Sequence, residues 1–245
     1  MKVLVCISSV PDTTTKINFT PDNKSFVTQG VQFIINPYDE IALTRALELT
    51  EKDGGTVTVI NVGDATTEPV IRKALAVGAT DAVRVNAAPR DAFFVAKQIA
   101  AYASKHNFDL ILCGRESIDY NGAQVPAMVA EMLGIPSVSV CKKLDITGST
   151  AIAEREIEGG KEIVECPLPL VVSASEGMAE PRIPNMRGIM SARTKPLAVI
   201  EPVETPKNIE VVNYDKPKPR SEVKLIPPDK VEELVDLLHT QARVI

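Results

Sequence analysis

The sequence predicts an α/β fold: a doubly wound parallel sheet with an antiparallel hairpin extension and a long C-terminal arm. Three observations carry this. Up to Cys141, short runs rich in β-branched residues alternate with helically periodic segments that have legible starts. Beyond Cys141 the chain alternates polar and apolar residues and breaks at glycine turns. From Glu180 onward, prolines punctuate a stretch of little periodicity.

Residues 3–7 read as the first buried strand, and residues 56–62, 82–85, 109–113 and 137–141 as its companions. Asp39 stands as a cap before a helix carrying Ile41, Ala42, Leu43, Ala46 and Leu47. Thr67 precedes Glu68 and Pro69 at the start of a second helix, which Gly78 stops; Asp91 opens a third, running through Ala103. Such β-α repetition with right-handed crossovers gives a parallel sheet covered on both faces. Residues 144–153 and 155–166 then read as hairpin strands, broken at Thr147-Gly148 and Gly159-Gly160, and residues 170–174 as one more core strand. Near the end, Asp229 is placed to cap an amphipathic helix through Leu238. The expected organisation is an α/β domain over residues 1–200, with the hairpin at about 142–168 and a loop and helix at about 180–194, followed by an arm over 201–245. Val211, Val212, Tyr214, Leu225 and Ile226 suit an arm laid across a partner.

The most informative unit spans residues 109–135. Leu110, Ile111, Leu112 and Cys113 form an apolar run that Gly114 ends, and Arg115, Glu116, Ser117, Ile118, Asp119, Tyr120, Asn121 and Gly122 follow as a loop. Val125, Met128, Val129, Met132 and Leu133 then recur on one helix face. At the C-terminal edge of a parallel sheet such a unit directs N–H groups and a helix dipole into a crevice suited to phosphate. The loop has neither the Gly/Lys/Ser phosphate signature nor the spaced glycines of a dinucleotide fingerprint. It therefore predicts a nucleotide or anion site without naming the ligand, and it also fits an ordinary α/β connection.

Composition narrows the classes. A net charge of −5, aromatics at 4% and no Trp argue against a nucleic-acid surface. Cys6, Cys113, Cys141 and Cys166 are widely spaced in apolar surroundings and read as reduced core residues. With only His106 and His239 as imidazoles, no metal site is expected. No catalytic triad or nucleophile elbow occurs, so no catalytic residue is expected. Glu154, Glu156, Glu158, Glu162 and Glu165 read as solvated hairpin faces. No run reaches membrane length and the N-terminal apolar run is too short for a secretory segment, so a cytoplasmic protein is expected, with no membrane insertion.

Residues 153–173, Ala-Glu-Arg-Glu-Ile-Glu-Gly-Gly-Lys-Glu-Ile-Val-Glu-Cys-Pro-Leu-Pro-Leu-Val-Val-Ser, resemble the signature of the beta (small) subunit of electron transfer flavoproteins. Residues 3–10 followed by Pro11 and Asp12, residues 36–42, residues 114–119 and residues 180–190 agree with it in order and spacing, over essentially the whole chain. The resemblance implies a heterodimer whose larger alpha subunit holds most of the FAD, with the arm packed on that subunit. It further implies electron flow from flavin dehydrogenases to an iron–sulfur quinone oxidoreductase, and a sheet of the adenine-nucleotide-binding type. By position in the family's motifs, AMP would be contacted by Cys6, by Asn36, Pro37, Tyr38 and Asp39, by Val62, and by Gly114 through Val125, including Ala123 and Gln124. Electron-bifurcating relatives hold a second FAD there. Pro126 and Ala127 stand where those relatives continue with Gly-Pro, and Thr13 stands where many simple carriers have an aromatic residue; AMP is the expected ligand.

The same resemblance places Arg155 and Glu156 at the seam facing the mobile flavin-bearing domain of the alpha subunit; otherwise they are a surface ion pair. Residues 184–193 resemble the loop and short helix that dock on dehydrogenases, with Met186, Ile189 and Met190 as an apolar anchor rimmed by Arg187 and Arg193. Periodicity alone suits a helix packed on its own core equally well. A stand-alone ATP binder of the universal-stress kind would share the sheet, but it would need a triphosphate-sized Gly-rich loop and no long arm.

Local chemistry sets three further expectations. Pro37 forces Asn36 to be extended, freeing its side chain for an adenine or ribose. Asn121, Gly122, Ala123 and Gln124 begin the crevice helix with unpaired N–H groups. Asp119 binds backbone N–H groups and holds the loop.

Overall fold

The apolar runs form the centre of a single sheet in the computed structural model, which describes residues 1–219 and 223–245. In chain order the elements are β1 (Lys2–Cys6), β2 (Ser9–Pro11), β3 (Phe33–Ile35), α1 (Pro37–Asp53), β4 (Thr56–Val62), α2 (Glu68–Val77), β5 (Asp81–Val85), α3 (Ala92–Ala103) and β6 (Leu110–Gly114). They continue with α4 (Val125–Leu133), β7 (Ser137–Thr147), β8 (Thr150–Ile157), β9 (Gly160–Pro167), β10 (Leu170–Ala174), α5 (Met186–Ala192), β11 (Leu197–Ile200) and α6 (Val231–Leu237). The large sheet has the order β11-β5-β4-β1-β6-β10-β7-β8-β9. Its strands are parallel from β11 to β7, and β8 and β9 extend the β7 edge as an antiparallel hairpin.

Alternation along each strand divides the core. Val3, Val5, Val59, Leu112 and Val172 pack on one face with Leu43, Leu47 and Leu75 of α1 and α2. Leu4, Ile60, Val83, Ile111 and Val171 pack on the other with Phe94 and Ile99 of α3 and Val129 of α4. Both faces being covered explains why these strands read as nearly continuous apolar runs. Asp91 caps α3 as expected, its carboxylate accepting the Phe94 N–H at 2.7 Å.

Several elements depart from expectation. β7 does not end at Cys141; it continues to Thr147 through an irregularity where Val140 adopts φ 54°. The pairing register shifts there against both β10 and β8, so β7 leaves the parallel sheet and enters the hairpin without ending. β11 forms in the stretch that showed little periodicity and adds a parallel edge strand beside β5. β2 and β3 form a separate antiparallel pair. Asp229 does not cap α6: it lies in a preceding 3₁₀ turn, and Lys230 occupies the cap position without a side-chain bond.

Among the described residues beyond β11, residues 203–205, Tyr214 and Lys216 tie the chain back to the body, Lys216 Nζ donating to Asn18 Oδ1 at 2.9 Å. Gln98 of α3 donates to the Val203 carbonyl at 3.0 Å and to Thr205 Oγ1 at 2.9 Å, and Arg90 donates to the Thr205 carbonyl at 3.0 Å. Farther on, the Tyr214 ring stacks on Phe19 with centroids 4.8 Å apart, and its N–H donates to the Asn23 carbonyl. Ile209, Val211, Val212, Val223, Leu225, Val231, Leu234 and Val235 remain exposed along this arm.

Candidate functional site

Strands β4, β1 and β6 are neighbours, and the chain moves from β1 to β4 on one side but returns to β6 on the other. The carboxyl ends at such a topological switch point frame a crevice. Cys6, Val62 and Gly114 are the last residues of the three strands, and residues 36–39 enter the same place at the start of α1.

Asn36 is fully buried. Its Nδ2 donates to the Glu116 carbonyl at 2.8 Å, and its Oδ1 accepts the Ile118 N–H at 3.1 Å. The side chain expected to reach an adenine or ribose is thus engaged at both ends by the loop after β6. The extended backbone before Pro37 aims it across the crevice wall (φ −54°, ψ 129°).

Asp39 is not the cap of α1. Asn36 holds the cap position, and Asp39 lies inside the first turn with only 4% of its surface exposed. One carboxylate oxygen accepts the Ser8 N–H at 2.7 Å and the other the Gly114 N–H at 2.8 Å, so the residue joins the ends of β1 and β6. Burial pushes its carboxyl up to about 7, against the opposing hydrogen bonds from Ser8, Asn36 and Gly114. Gly114 leaves room for this arrangement, since a Cβ there would lie 2.3 Å from Asp39 Oδ1.

Helix α4 begins at Val125, so Asn121, Gly122, Ala123 and Gln124 lie before it rather than in its first turn. Asn121 and Ala123 adopt left-handed backbones (φ 50° and 51°), which break the helical path. A left-handed conformation at a non-glycine residue costs roughly 1–3 kcal/mol and is concentrated at functional sites. Such a turn can gather successive N–H groups into a concavity that suits an anion; the Asn121 N–H, expected to be unpaired, instead donates to the Ser117 carbonyl at 2.8 Å, which leaves the residues after it to serve a phosphate. Asp119 is exposed, and Asn36 performs the loop-holding role expected of it. Arg115 pairs with Glu116 at 3.2 Å and lies over the Tyr38 ring at 5.3 Å. At the tip of the loop, Tyr120 hydrogen-bonds Tyr214 of the arm, which together with burial pushes its phenol up to about 12.

Cys6 and Cys113 face each other at the base of the crevice. Their mutual hydrogen bond, then burial, raise the Cys6 thiol well above its ordinary value, so it is neither a thiolate nor a nucleophile. Two further residues belong to this frame and were not anticipated. Ser8, the second residue past β1, provides an N–H to Asp39. Asn61, 2% exposed, donates to the Ile7 carbonyl at 2.9 Å; a lone amide inside the apolar run of β4 was the signal for it.

The remaining expected residues lie elsewhere. Arg155 and Glu156 are on β8, three places from β6 in the sheet, and pair with Glu162 at 2.9 Å and Lys142 at 2.6 Å rather than with each other. Helix α5 packs on α2 through Gly188 and the buried Ala192, while Met186, Ile189 and Met190 are 74%, 42% and 67% exposed. The stripe thus faces outward, with Arg187 and Arg193 exposed beside it. A concavity of about 970 Å³ beside Met1, Lys52, Asn107 and Pro169 lies at the other end of the sheet, away from the strands' carboxyl ends.

The family profile described as "Electron transfer flavoprotein domain" matches residues 24–205. The chain is 37% identical over 230 residues to the electron transfer flavoprotein subunit beta of Bacillus subtilis (strain 168), covering 88% of this chain and 90% of the relative. It is 39% identical over 198 residues to that of Thermoanaerobacterium thermosaccharolyticum, covering 80% and 76%. Against the human electron transfer flavoprotein subunit beta, identity is 34% over 231 residues, covering 90% and 91%. With the profile spanning most of the chain and relatives aligned nearly end to end, this chain belongs to the electron transfer flavoprotein family, as a beta subunit.

Proposed function

We propose that the crevice at the ends of β1, β4 and β6 binds AMP as a structural element of a heterodimeric, soluble electron carrier of the cytoplasm. The observation that supports this best is the loop of residues 114–124. Asn36 and Asp39 fix its first half, and its second half carries two left-handed non-glycine residues in front of the nine-residue helix α4. Such a turn offers N–H donors to a phosphate, and its exposed residues need no such strain for packing.

The FAD held mainly by the alpha subunit supplies the electron-carrying chemistry when bound. This chain's residues do the rest: the crevice frame stiffens the sheet edge by holding the nucleotide, and the arm with its uncovered α6 packs on the alpha subunit. Arg155 and Glu156 form part of the surface facing the flavin-bearing domain. Exposed Met186, Ile189 and Met190, with Arg187 and Arg193, anchor flavin dehydrogenases, and a quinone oxidoreductase receives the electrons. On this reading the chain is part of an electron carrier rather than a catalyst of bond chemistry.

The test is to co-express the chain with its alpha subunit, denature the purified complex and identify every released nucleotide and its ratio to protein. One FAD and one AMP per heterodimer is the expected result. Two FAD and no AMP would replace this reading with a bifurcating subunit carrying a second flavin. For the docking surface, the pair Met186→Asp and Ile189→Asp should weaken electron acceptance from a dehydrogenase with flavin content unchanged; unaltered transfer would refute it.

A further inference from the structure

The two halves of the nucleotide loop are held from different directions. Asn36 and Asp39 hold the first half, and their bonds end at Ile118. The second half carries the left-handed Asn121 and Ala123, and the Asn121 N–H donates to the Ser117 carbonyl, a bond within the loop itself. Tyr120 reaches outside the loop, where its hydroxyl shares a hydrogen bond with that of Tyr214 in the arm. We infer that Tyr214 is a positioning residue for the nucleotide site, supplied by the arm, which holds Tyr120 and with it the left-handed turn offered to the phosphate. The inference deepens the nucleotide reading of the crevice and rests on it only for the ligand.

Tyr214 can act in this way because it is fixed itself. Its ring lies on Phe19 with centroids 4.8 Å apart and planes 13° from parallel, and its N–H donates to the Asn23 carbonyl at 2.8 Å. Two residues on, Lys216 Nζ donates to Asn18 Oδ1 at 2.9 Å. The platform beneath is a folded turn, in which Phe19 bridges Phe26 and the Thr20 N–H donates to the Ser25 carbonyl at 2.9 Å. A tyrosine stacked by its ring keeps its hydroxyl free for a partner, and its two side-chain torsions make it inexpensive to hold in place. Tyr120 is 72% exposed, so core packing does not account for its position. It directly precedes the first left-handed residue, and such a backbone persists only where its surroundings over-determine it. A bond at Tyr120 therefore acts on the turn itself.

A double-mutant cycle in the intact heterodimer tests the assignment, read as the rate of nucleotide release. Tyr120→Phe and Tyr214→Phe keep both rings and should each accelerate release about threefold, and the double variant should release no faster than either single one, because all three lose the same bond. Tyr214→Ala also removes the stack on Phe19 and should accelerate release about tenfold. Amide hydrogen exchange should show peptides over residues 119–124 losing protection in the same order, while those of β4 do not change. Unaltered release and exchange in the two phenylalanine variants overturn the inference, and so do independent effects that multiply to about ninefold in the double variant. If Tyr214→Ala fails to fold or assemble, the phenylalanine cycle decides alone. If the complex yields no nucleotide, the same cycle read by hydrogen exchange at residues 119–124 would sustain this inference while the nucleotide reading falls.

Discussion

Gly188→Ala separates packing from helix propensity because the two predict opposite signs. In the middle of a helix, alanine in place of glycine is worth about 1 kcal/mol of stabilisation. Gly188 is in α5 and is not in the left-handed region, so nothing in its backbone opposes the change. Space does: the added Cβ would sit 2.3 Å from the Ala76 carbonyl oxygen of α2, more than an ångström inside ordinary contact. Backbone cannot swing aside like a long side chain, so α5 must lift from α2. Lifting strains the bonds of Arg72 to the Ala192 and Lys195 carbonyls at 3.0 and 2.9 Å, and that of Lys195 Nζ to the Leu75 carbonyl at 2.9 Å. Overpacking of this kind costs about 1–3 kcal/mol, so after the propensity gain the variant should be less stable by about 1 kcal/mol. Urea unfolding of the heterodimer, followed by far-UV circular dichroism, measures it. A variant more stable than the wild type by about 1 kcal/mol would show that α5 is not seated on Ala76.

Asn36→Ala should cost about 2–4 kcal/mol, because it leaves the Glu116 carbonyl and the Ile118 N–H without their partner; the urea midpoint and the nucleotide ratio should fall together, and a change under about 0.5 kcal/mol would remove Asn36 from the frame. At Val140, where a β-branched residue sits at φ 54°, Val140→Gly should be neutral or stabilising by up to about 1 kcal/mol, whereas a glycine elsewhere in a strand destabilises; thermal unfolding distinguishes these. The Asp39 carboxyl is raised from 3.8 to about 7, so its contribution to stability is full below pH 3.8 and is lost as pH rises through about 7, a loss on the order of 4 kcal/mol. Denaturant midpoints should therefore decline between about pH 5 and pH 8 in the wild type and lose that slope in Asp39→Asn, and an equal slope in both would refute the assignment.

The central strands were legible because burial on both faces leaves a continuous apolar run, and Asp91 because a cap needs only local chemistry. The elements that escaped notice depend on distant partners. β11 has four residues and exists because β5 lies beside it, a pairing that joins Leu197 to Ala82. β7 read as two pieces because the irregularity at Val140 breaks its alternation. At the site, the crevice residues were legible as a group, but the hydrogen bonds that Asn36 and Asp39 make were not. Asn36 and Asp39 bond to residues 80 and 75 positions away, and a helix start seen locally offers no hint of that. The outward stripe of α5 was undecided for the same reason: which side faces α2 is settled by the close approach at Gly188.

The arm gives the chain a part whose local stability is separate from that of the α/β body. Its fastenings at Thr205 and Tyr214 leave Ile209, Val212, Leu225 and Val235 in water, on backbone that borrows no strength from the sheet. Extended, apolar and weakly tethered chain is what proteases and chaperones engage first, and they engage it without any unfolding of the α/β body. The end of the chain can therefore open or be cut while the sheet beneath it stays whole, so limited proteolysis would report on the arm separately from the fold.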